Sequence, residues 1–342
     1  MGPTEIAVVG GGPAGAYCAL ELARRCVHAT IFNRSYSIEK PCGGGVSPAT
    51  LAKFPFLEQF RSKGSNSEIY QMITCTEKKY RMKIPNPGFN ISRQFLDHQI
   101  QKMAIESGAK LIEEKVISIN RKQDTWQIET TKRSLTARVL VGADGVNSIV
   151  RQKTVGSIRK ENLGLTYGYL VTGVEDEPTT MKFMVEIPGY IWIFPRGNHS
   201  SIGIFSNLKF GSELKRILDN FILSYCPQIK ILSHFAALLP SATDPEFFKK
   251  HCVGDDWILV GDAAGHVDPI SGEGILYALW SGKLAAQVIG ANQLKTYDNL
   301  WRREYGFHLM ERCRLKEKFF DPLTIEMSAL LANNSYSNWP IA

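Results

Sequence analysis

Three short stretches carry the residue types that a phosphate-bearing ligand requires. Gly10-Gly11-Gly12-Pro13-Ala14-Gly15 spells G-x-G-x-x-G between an apolar run, Glu5 to Val9, and a helix predicted over Ala14 to Arg25. Bare backbone at Gly10, Gly12 and Gly15, with Pro13 and Ala14 between, lets a pyrophosphate approach the helix N-terminus. Asp144-Gly145 follows the apolar run Val139 to Val141, and Gly261-Asp262 follows Trp257 to Val260. Each places a carboxylate at the C-terminal end of a strand, where open α/β sheets bind ligands, and Asp262 can accept hydrogen bonds from a polyol chain. Further on, Gly272, Glu273, Gly274 and Ile275 open a long helix, predicted to run to about Gly290. Its free amides and positive dipole end stabilise negative charge placed before them.

The elements that must position these groups are legible in outline. Glu5 to Val9, the following helix and Ala29 to Phe32 make a βαβ opening. The second strand ends in Asn33 and Arg34 where an acid for a ribose is expected. Asn33 can still hydrogen-bond a hydroxyl, and Arg34 suits a phosphate. Gln94 to Ser107 reads as a helix and Lys110 to Ile119 as a strand. From Tyr167 to Ser206 the pattern is strand-rich and alternating, which predicts an antiparallel sheet. The tail from Tyr297 to Phe320 reads as basic and helical.

The order of the three signatures matches glutathione-reductase-like flavoproteins of the aromatic hydroxylase class, and Arg93-Gln94-Phe95-Leu96-Asp97 resembles their R-x-x-L-D helix start. FAD is therefore the expected cofactor. The expected fold class is α/β: a Rossmann-type FAD-binding domain interleaved with an antiparallel-sheet substrate domain and followed by a C-terminal helical tail. The boundaries place FAD-binding segments at 1–75, 93–165 and 251–292, a substrate-domain insertion at 76–92, the antiparallel domain at 166–250 and the helical region at 293–342. Val116 joins Asn33, Arg34 and Arg93 among the expected cofactor contacts.

The chain has 342 residues, seven irregularly spaced cysteines without a C-x-x-C pair, and a formal charge of +7. The cysteine pattern predicts reduced thiols, no zinc site and no bound metal. The charge suits phosphate-bearing ligands or an anionic membrane surface, and nucleic acid is not an expected partner. No apolar stretch is long enough to span a bilayer, so a cytoplasmic protein is expected, with contact at most on the inner face of a membrane. Arg302, Arg303, Arg312, Arg314, Lys316 and Lys318, set among Trp301, Phe307, Phe319 and Phe320, are the candidate lipid-facing residues.

Two further segments, Lys40-Pro41-Cys42-Gly43-Gly44-Gly45-Val46-Ser47-Pro48 and Pro188-Gly189-Tyr190-Ile191-Trp192-Ile193-Phe194-Pro195, closely resemble the hallmark segments of the geranylgeranyl reductase family. The family's P-x-x-Y-x-W-x-F-P is intact from the tyrosine onward, with the first proline one residue late. The resemblance covers about residues 4 to 290. It implies reduction of carbon–carbon double bonds in an isoprenoid chain, and it places the glycine-rich loop of Cys42, Gly43, Gly44 and Gly45 against the flavin; hydride from reduced flavin is then expected at one alkene carbon and a proton at the other. Cys42 and Glu273 are the candidate proton donors, with an ordered water as a rival. Tyr190, Trp192 and Phe194 share one strand face and are expected to line a hydrocarbon pocket. The chain is shorter than the family's lipid-reducing members, mostly at its C-terminal end, so a shorter polyprenyl group or another lipophilic alkene is as compatible as a geranylgeranyl chain. No second G-x-G-x-x-G is present, and an external donor, NAD(P)H or a redox protein, is expected. Two rival readings share the flavin motifs: a monooxygenase acting on a lipophilic or aromatic substrate, and a non-catalytic, redox-responsive flavin protein in lipid or envelope maintenance.

Overall fold

The computed structural model describes residues 4–34 and 39–334. Within them the chain forms two compact units: one from residues up to 34, 94–162 and 240–314, the other from 39–93, 163–239 and 315 onward. The mixed α/β architecture, with a nucleotide-type sheet, a second sheet and C-terminal helices, follows the expected class.

The first unit is built on a parallel core. Its strands run in the order Lys110–Ile112, Ala29–Phe32, Thr4–Val9 and Ser134–Gly142, and the last pairs in parallel with Trp257–Leu259. The first half of Ser134–Gly142 instead pairs antiparallel with Thr125–Thr130, which continues to Val116–Lys122. Parallel strands need cover on both faces, and Ile6, Ala7, Val8 and Val9 are accordingly all buried. Helices Pro13–Ala23 and Ile275–Gly290 pack so closely that a Cβ on Gly282 would lie 2.4 Å from the Ala14 carbonyl oxygen. The single strand expected over Lys110 to Ile119 is two strands. The chain bends between them at Glu114, whose buried carboxylate accepts from the Thr130 hydroxyl and pairs with Arg133.

The second unit holds a seven-stranded sheet in the order Lys230–Pro240, Leu163–Thr172, Ser200–Asn207, Gly189–Pro195, Thr179–Phe183, Ile69–Ile73 and Lys79–Lys83. It is antiparallel in the pairs from Leu163–Thr172 to Thr179–Phe183, but Thr179–Phe183 and Ile69–Ile73 run parallel. That pairing draws residues 39–75, expected in the cofactor domain, into this unit. A contact between strands over a hundred residues apart leaves no local trace in the sequence. On one face, Ile191, Ile193, Ile202 and Ile204 meet helix Leu214–Tyr225, which buries Leu214, Ile217, Leu218, Phe221 and Ile222. These recur at i, i+3, i+4, i+7 and i+8, one stripe of a 3.6-residue helix. The other face is aromatic, and Ile325, Ala329 and Ala332 of helix Pro322–Asn334 cover it.

Behind the parallel sheet of the first unit lies a buried polar cluster. His266 is fully buried, packs at a tilt against Trp301 with ring centroids 4.3 Å apart, and lies 2.9 Å from the Tyr305 hydroxyl and 3.7 Å from Cys252 Sγ. Burial, reinforced by Arg151 and Arg302, holds its ring down at about 3. Burial likewise pushes the Cys252 thiol up to about 12. Since an unfolded histidine titrates near 6.5, the neutral ring contributes stability that is fully present above that pH and is lost as pH falls toward 3. Urea unfolding should therefore show the native chain losing about 2 kcal/mol more than the His266→Asn variant between pH 6.5 and 5. Parallel pH profiles for the two chains would contradict this.

Candidate cofactor and active site

The loops bearing the three signatures leave the same edge of the first unit's sheet, at the C-terminal ends of its parallel strands. Backbone hydrogen bonds zip those ends together: Gly10 donates to Phe32, Asn33 to Ile112, Ala143 to Val9 and Val260 to Gly142, all at 2.8–3.0 Å. Gly10 has φ +106°, and a Cβ there would lie 2.2 Å from the Ala143 carbonyl oxygen. Gly15 is equally obligatory, its hypothetical Cβ 2.0 Å from the Gly10 oxygen. Gly12 differs in kind. It is the N-cap of helix Pro13–Ala23 with ordinary extended geometry, no side chain caps the first-turn amides, and a Cβ there would meet nothing within 4 Å. The fold does not need that glycine, whereas an approaching phosphate does.

Asp144 accepts from the amides of Ile149 at 2.7 Å and Val150 at 3.4 Å, which ties it to the start of helix Ile149–Thr154. Its Oδ1 is buried without a partner among the described residues, and burial raises its carboxyl above the usual range despite those bonds. Gly145, with φ +82°, also has open space where a Cβ would be. Gly261, at φ +57°, starts the turn bearing half-buried Asp262. Asp262 Oδ1 lies 3.4 Å from the position of a Cβ on Gly274, the uncapped N-cap of helix Ile275–Gly290. Uncapped helix ends, bare glycine surfaces and an orphaned carboxylate oxygen fit a dinucleotide that brings its own phosphates and hydroxyls. Gly10, Gly12, Pro13, Ala14, Gly15, Asp144, Gly145, Gly261, Asp262, Gly272, Gly274 and Ile275 are the residues suited to hold it, with Asn33 at the neighbouring strand end.

Asn33 is half-buried beside Gly11, and Arg34 is exposed. Val116 is buried at the start of its strand, opposite Thr130. Sequence reading missed Gln101, buried on helix Arg93–Glu106, whose amide donates to the Gly11 carbonyl and so fixes the glycine turn. A lone glutamine within a helix gives no signal of that. It also missed Asp268, whose carboxylate organises the turn before helix Ile275–Gly290.

Cys42, Gly43, Gly44, Gly45, Arg93, Tyr190, Trp192 and Phe194 belong to the second unit. There the glycine loop is fastened to the strand Gly189–Pro195 and its continuation. Arg196, fully buried, donates Nε to the Gly43 carbonyl at 2.9 Å, Nη2 to the Cys42 carbonyl, and Nη1 to Glu39 at 2.7 Å. Glu39 also accepts from the Ser92 hydroxyl and from the Arg93 amide at 2.8 Å. Ser201 Oγ donates to the Cys42 carbonyl at 3.0 Å and accepts from the Trp192 indole at 3.1 Å. The Phe194 ring lies 2.6 Å from the position of a Cβ on Gly43, which explains that glycine, and 3.2 Å from one on Gly45, a tighter contact than usual. The Gly44 amide donates to Cys42 Sγ at 3.3 Å. Removing one member of such a buried ion pair costs about 3–5 kcal/mol, because the other charge is left alone.

Tyr190 and Trp192 point to the aromatic face with Phe183, Phe205 and Phe235, and Phe194 packs against the same cluster. Phe235 stacks on Trp192 at 6.4 Å. Room for these rings comes from glycines on adjacent strands: a Cβ on Gly203 would meet the Trp192 indole at 2.2 Å, and one on Gly168 the Phe235 ring at 2.5 Å. Glu273 is half-buried in the first unit, its carbonyl accepting from the Asp268 amide at 3.0 Å.

In the tail, Trp301 is fully buried, Arg302 bonds the Lys249 and Lys250 carbonyls, Arg312 pairs with Asp268, and Arg314 pairs with Glu311. Arg303, Phe307 and Lys318 are exposed. Among the described residues no helix is long and apolar enough to cross a membrane, and no cluster of side chains suits a metal ion.

Residues 3–207 match the FAD binding domain family, and fold and site together define an FAD-dependent oxidoreductase. A geranylgeranyl diphosphate reductase of Rhodobacter capsulatus is 30% identical over 300 residues, covering 82% of this chain and 73% of that protein. A menaquinone reductase of Mycobacterium tuberculosis is 27% identical across 96% of this chain and 88% of that protein. The chain belongs to the geranylgeranyl reductase family of FAD-dependent oxidoreductases. The same fold is seen in a solved structure from Thermoplasma acidophilum described as geranylgeranyl bacteriochlorophyll reductase-like, with a TM-score of 0.86 at 21% identity over 99% of this chain and 94% of that one.

The two kinds of glycine in the first signature separate binding from folding. Gly12→Asp supplies a favoured helix cap, so the unfolding free energy of the apoprotein should stay level or rise by roughly a few tenths of a kcal/mol. FAD affinity, read by fluorescence titration, should fall at least ~100-fold, about 2.7 kcal/mol. Gly10→Ala should instead destabilise the apoprotein by about 2 kcal/mol or more. Tight FAD binding by Gly12→Asp would remove this placement of the pyrophosphate.

Proposed function

We propose that the protein saturates carbon–carbon double bonds in an isoprenoid or similar lipophilic chain. What carries this reading is the fastening, within the second unit, of the Cys42–Gly45 loop to the aromatic strand: Arg196, Ser201 and Phe194 hold a thiol-bearing loop to the strand that presents Tyr190 and Trp192. A candidate proton source is thus held to the strand whose half-buried Phe194 is the candidate hydrocarbon-facing ring, Tyr190 and Trp192 being buried behind it as core. The names of the relatives, a geranylgeranyl diphosphate reductase and a menaquinone reductase, support the substrate class.

FAD, once reduced by an external NAD(P)H or redox-protein donor, supplies the two electrons as hydride. The remaining tasks fall to the protein. Tyr190 and Trp192 are buried beneath helix Pro322–Asn334, so half-buried Phe194 is the ring of the three that offers apolar surface to a polyprenyl chain. Cys42 is the preferred proton donor to the second alkene carbon, and the Gly44 amide already directed at Sγ would hold the charge left on sulfur. Glu273 is the competing donor.

Photoreduced holoprotein, mixed without oxygen with a geranylgeranyl or menaquinone substrate, should lose its reduced-flavin spectrum and yield a product two hydrogens heavier. Reoxidation by oxygen alone with an oxygenated product would replace this reading with a monooxygenase. Failure of every alkene to reoxidise the flavin would favour a binding protein. In single turnover, Cys42→Ala should be slower by about 100-fold or more with FAD retained. Unchanged rates in both Cys42→Ala and Glu273→Gln would eliminate both side chains as the donor.

The reading extends to where a lipophilic substrate would be met. Helix Pro322–Asn334 buries one side on the aromatic face and exposes Leu323, Met327, Leu330 and Leu331 on the other. An exposed stripe of that kind suits the acyl region of a bilayer better than the largely committed cations of the preceding helices. Changing Leu323, Met327 and Leu330 to Ser should reduce sedimentation with anionic liposomes several-fold. Equal sedimentation would remove the assignment.

A further inference from the structure

The turn between Asp268 and Gly274 is wound around one carboxylate. Asp268, whose side chain is completely buried, accepts at Oδ1 from the amides of Ile270 at 2.9 Å and Ser271 at 2.7 Å and from the Ser271 hydroxyl at 3.0 Å. The backbone closes over it: the Gly272 amide donates to the Asp268 carbonyl, and the Asp268 amide to the Glu273 carbonyl, both at 3.0 Å. Gly272 adopts φ +70° to permit this. The Ser271 hydroxyl also accepts from the Glu273 amide at 3.2 Å. The turn ends at Gly274, the uncapped start of helix Ile275–Gly290.

A buried carboxylate needs a counter-charge, and the counter-charge comes from a distant element. Arg312, on helix Phe307–Phe319, donates Nε to Asp268 Oδ2 at 2.8 Å and Nη2 to Oδ1 at 3.3 Å. This two-point fork fixes the plane of the carboxylate, and the carboxylate fixes the amides of the turn. A lysine in that place would neutralise the charge without setting the plane.

We infer that Arg312 is a positioning residue for the cofactor: through Asp268 it holds the turn and the helix N-terminus at Gly272 to Ile275 in the arrangement that stabilises negative charge on reduced FAD. The inference rests on those residues being cofactor contacts. It assigns to Arg312 a redox role in place of the lipid-facing one that the composition of its helix suggests.

The test is the midpoint potential of the bound flavin, measured by dye-equilibrated anaerobic titration, together with FAD affinity and the circular dichroism of the apoprotein. Arg312→Met should lower the preference for reduced over oxidised flavin three- to tenfold, a midpoint about 15 to 30 mV more negative. Arg312→Lys should recover only part of that, and it serves alone if the Met variant does not fold. The double variant Arg312→Met with Asp268→Asn is neutral but lacks the fork, so its potential should stay depressed. A native potential in Arg312→Lys, or full recovery in the double variant, would overturn the inference, since charge alone would then suffice. Loss of FAD binding by the unaltered protein would instead strike at the cofactor reading itself.

Discussion

Close approach of bare backbone is the constraint on which the first unit depends. The strand ends at Val9, Phe32 and Gly142 are joined by hydrogen bonds from the residues that follow, and this brings the Gly10 backbone so near Ala143 that no side chain fits. The approach aligns the loops bearing Gly12, Asn33, Asp144 and Asp262 along one edge. Two helices then begin there without side-chain caps, at Gly12 and Gly274. Their unsatisfied amides cost little when exposed to water, and they become binding groups when a phosphate or a reduced flavin arrives.

Much of this was readable in advance because it is local. A strand, a glycine turn and a helix lie within about twenty residues of each other, and the periodicity changes where the elements change. The carboxylates at Asp144 and Asp262 follow apolar runs, so their positions at strand ends were equally plain. What the sequence hid were interactions over long separations or through ordinary residue types. Gln101 steadies Gly11 from ninety positions away. Asp268 is an aspartate in a loop until its carboxylate is seen to accept from the turn and from Arg312. The parallel pairing of Ile69–Ile73 with Thr179–Phe183 joins segments that no local pattern relates.

The second unit shows how one strand serves two purposes. Along Gly189–Pro195 the odd positions Ile191 and Ile193 build an aliphatic core against helix Leu214–Tyr225, while Tyr190 and Trp192 face the aromatic cluster. The strand then continues into Arg196, which grips the Cys42 loop. Alternation made the aromatic stripe visible from sequence. The grip was not visible, since an arginine after a strand is usually a solvated end.

The indole of Trp192 occupies the space above Gly203, and the ring of Phe235 that above Gly168. Each aromatic residue and its glycine are therefore a single unit of inheritance. A descendant that gained a side chain at either glycine would first have to shrink the ring beside it, and one that lost the ring would leave a void that its glycine could not fill. Divergence in the width of this aromatic face should proceed by paired changes across neighbouring strands, with lineages differing at both positions or at neither.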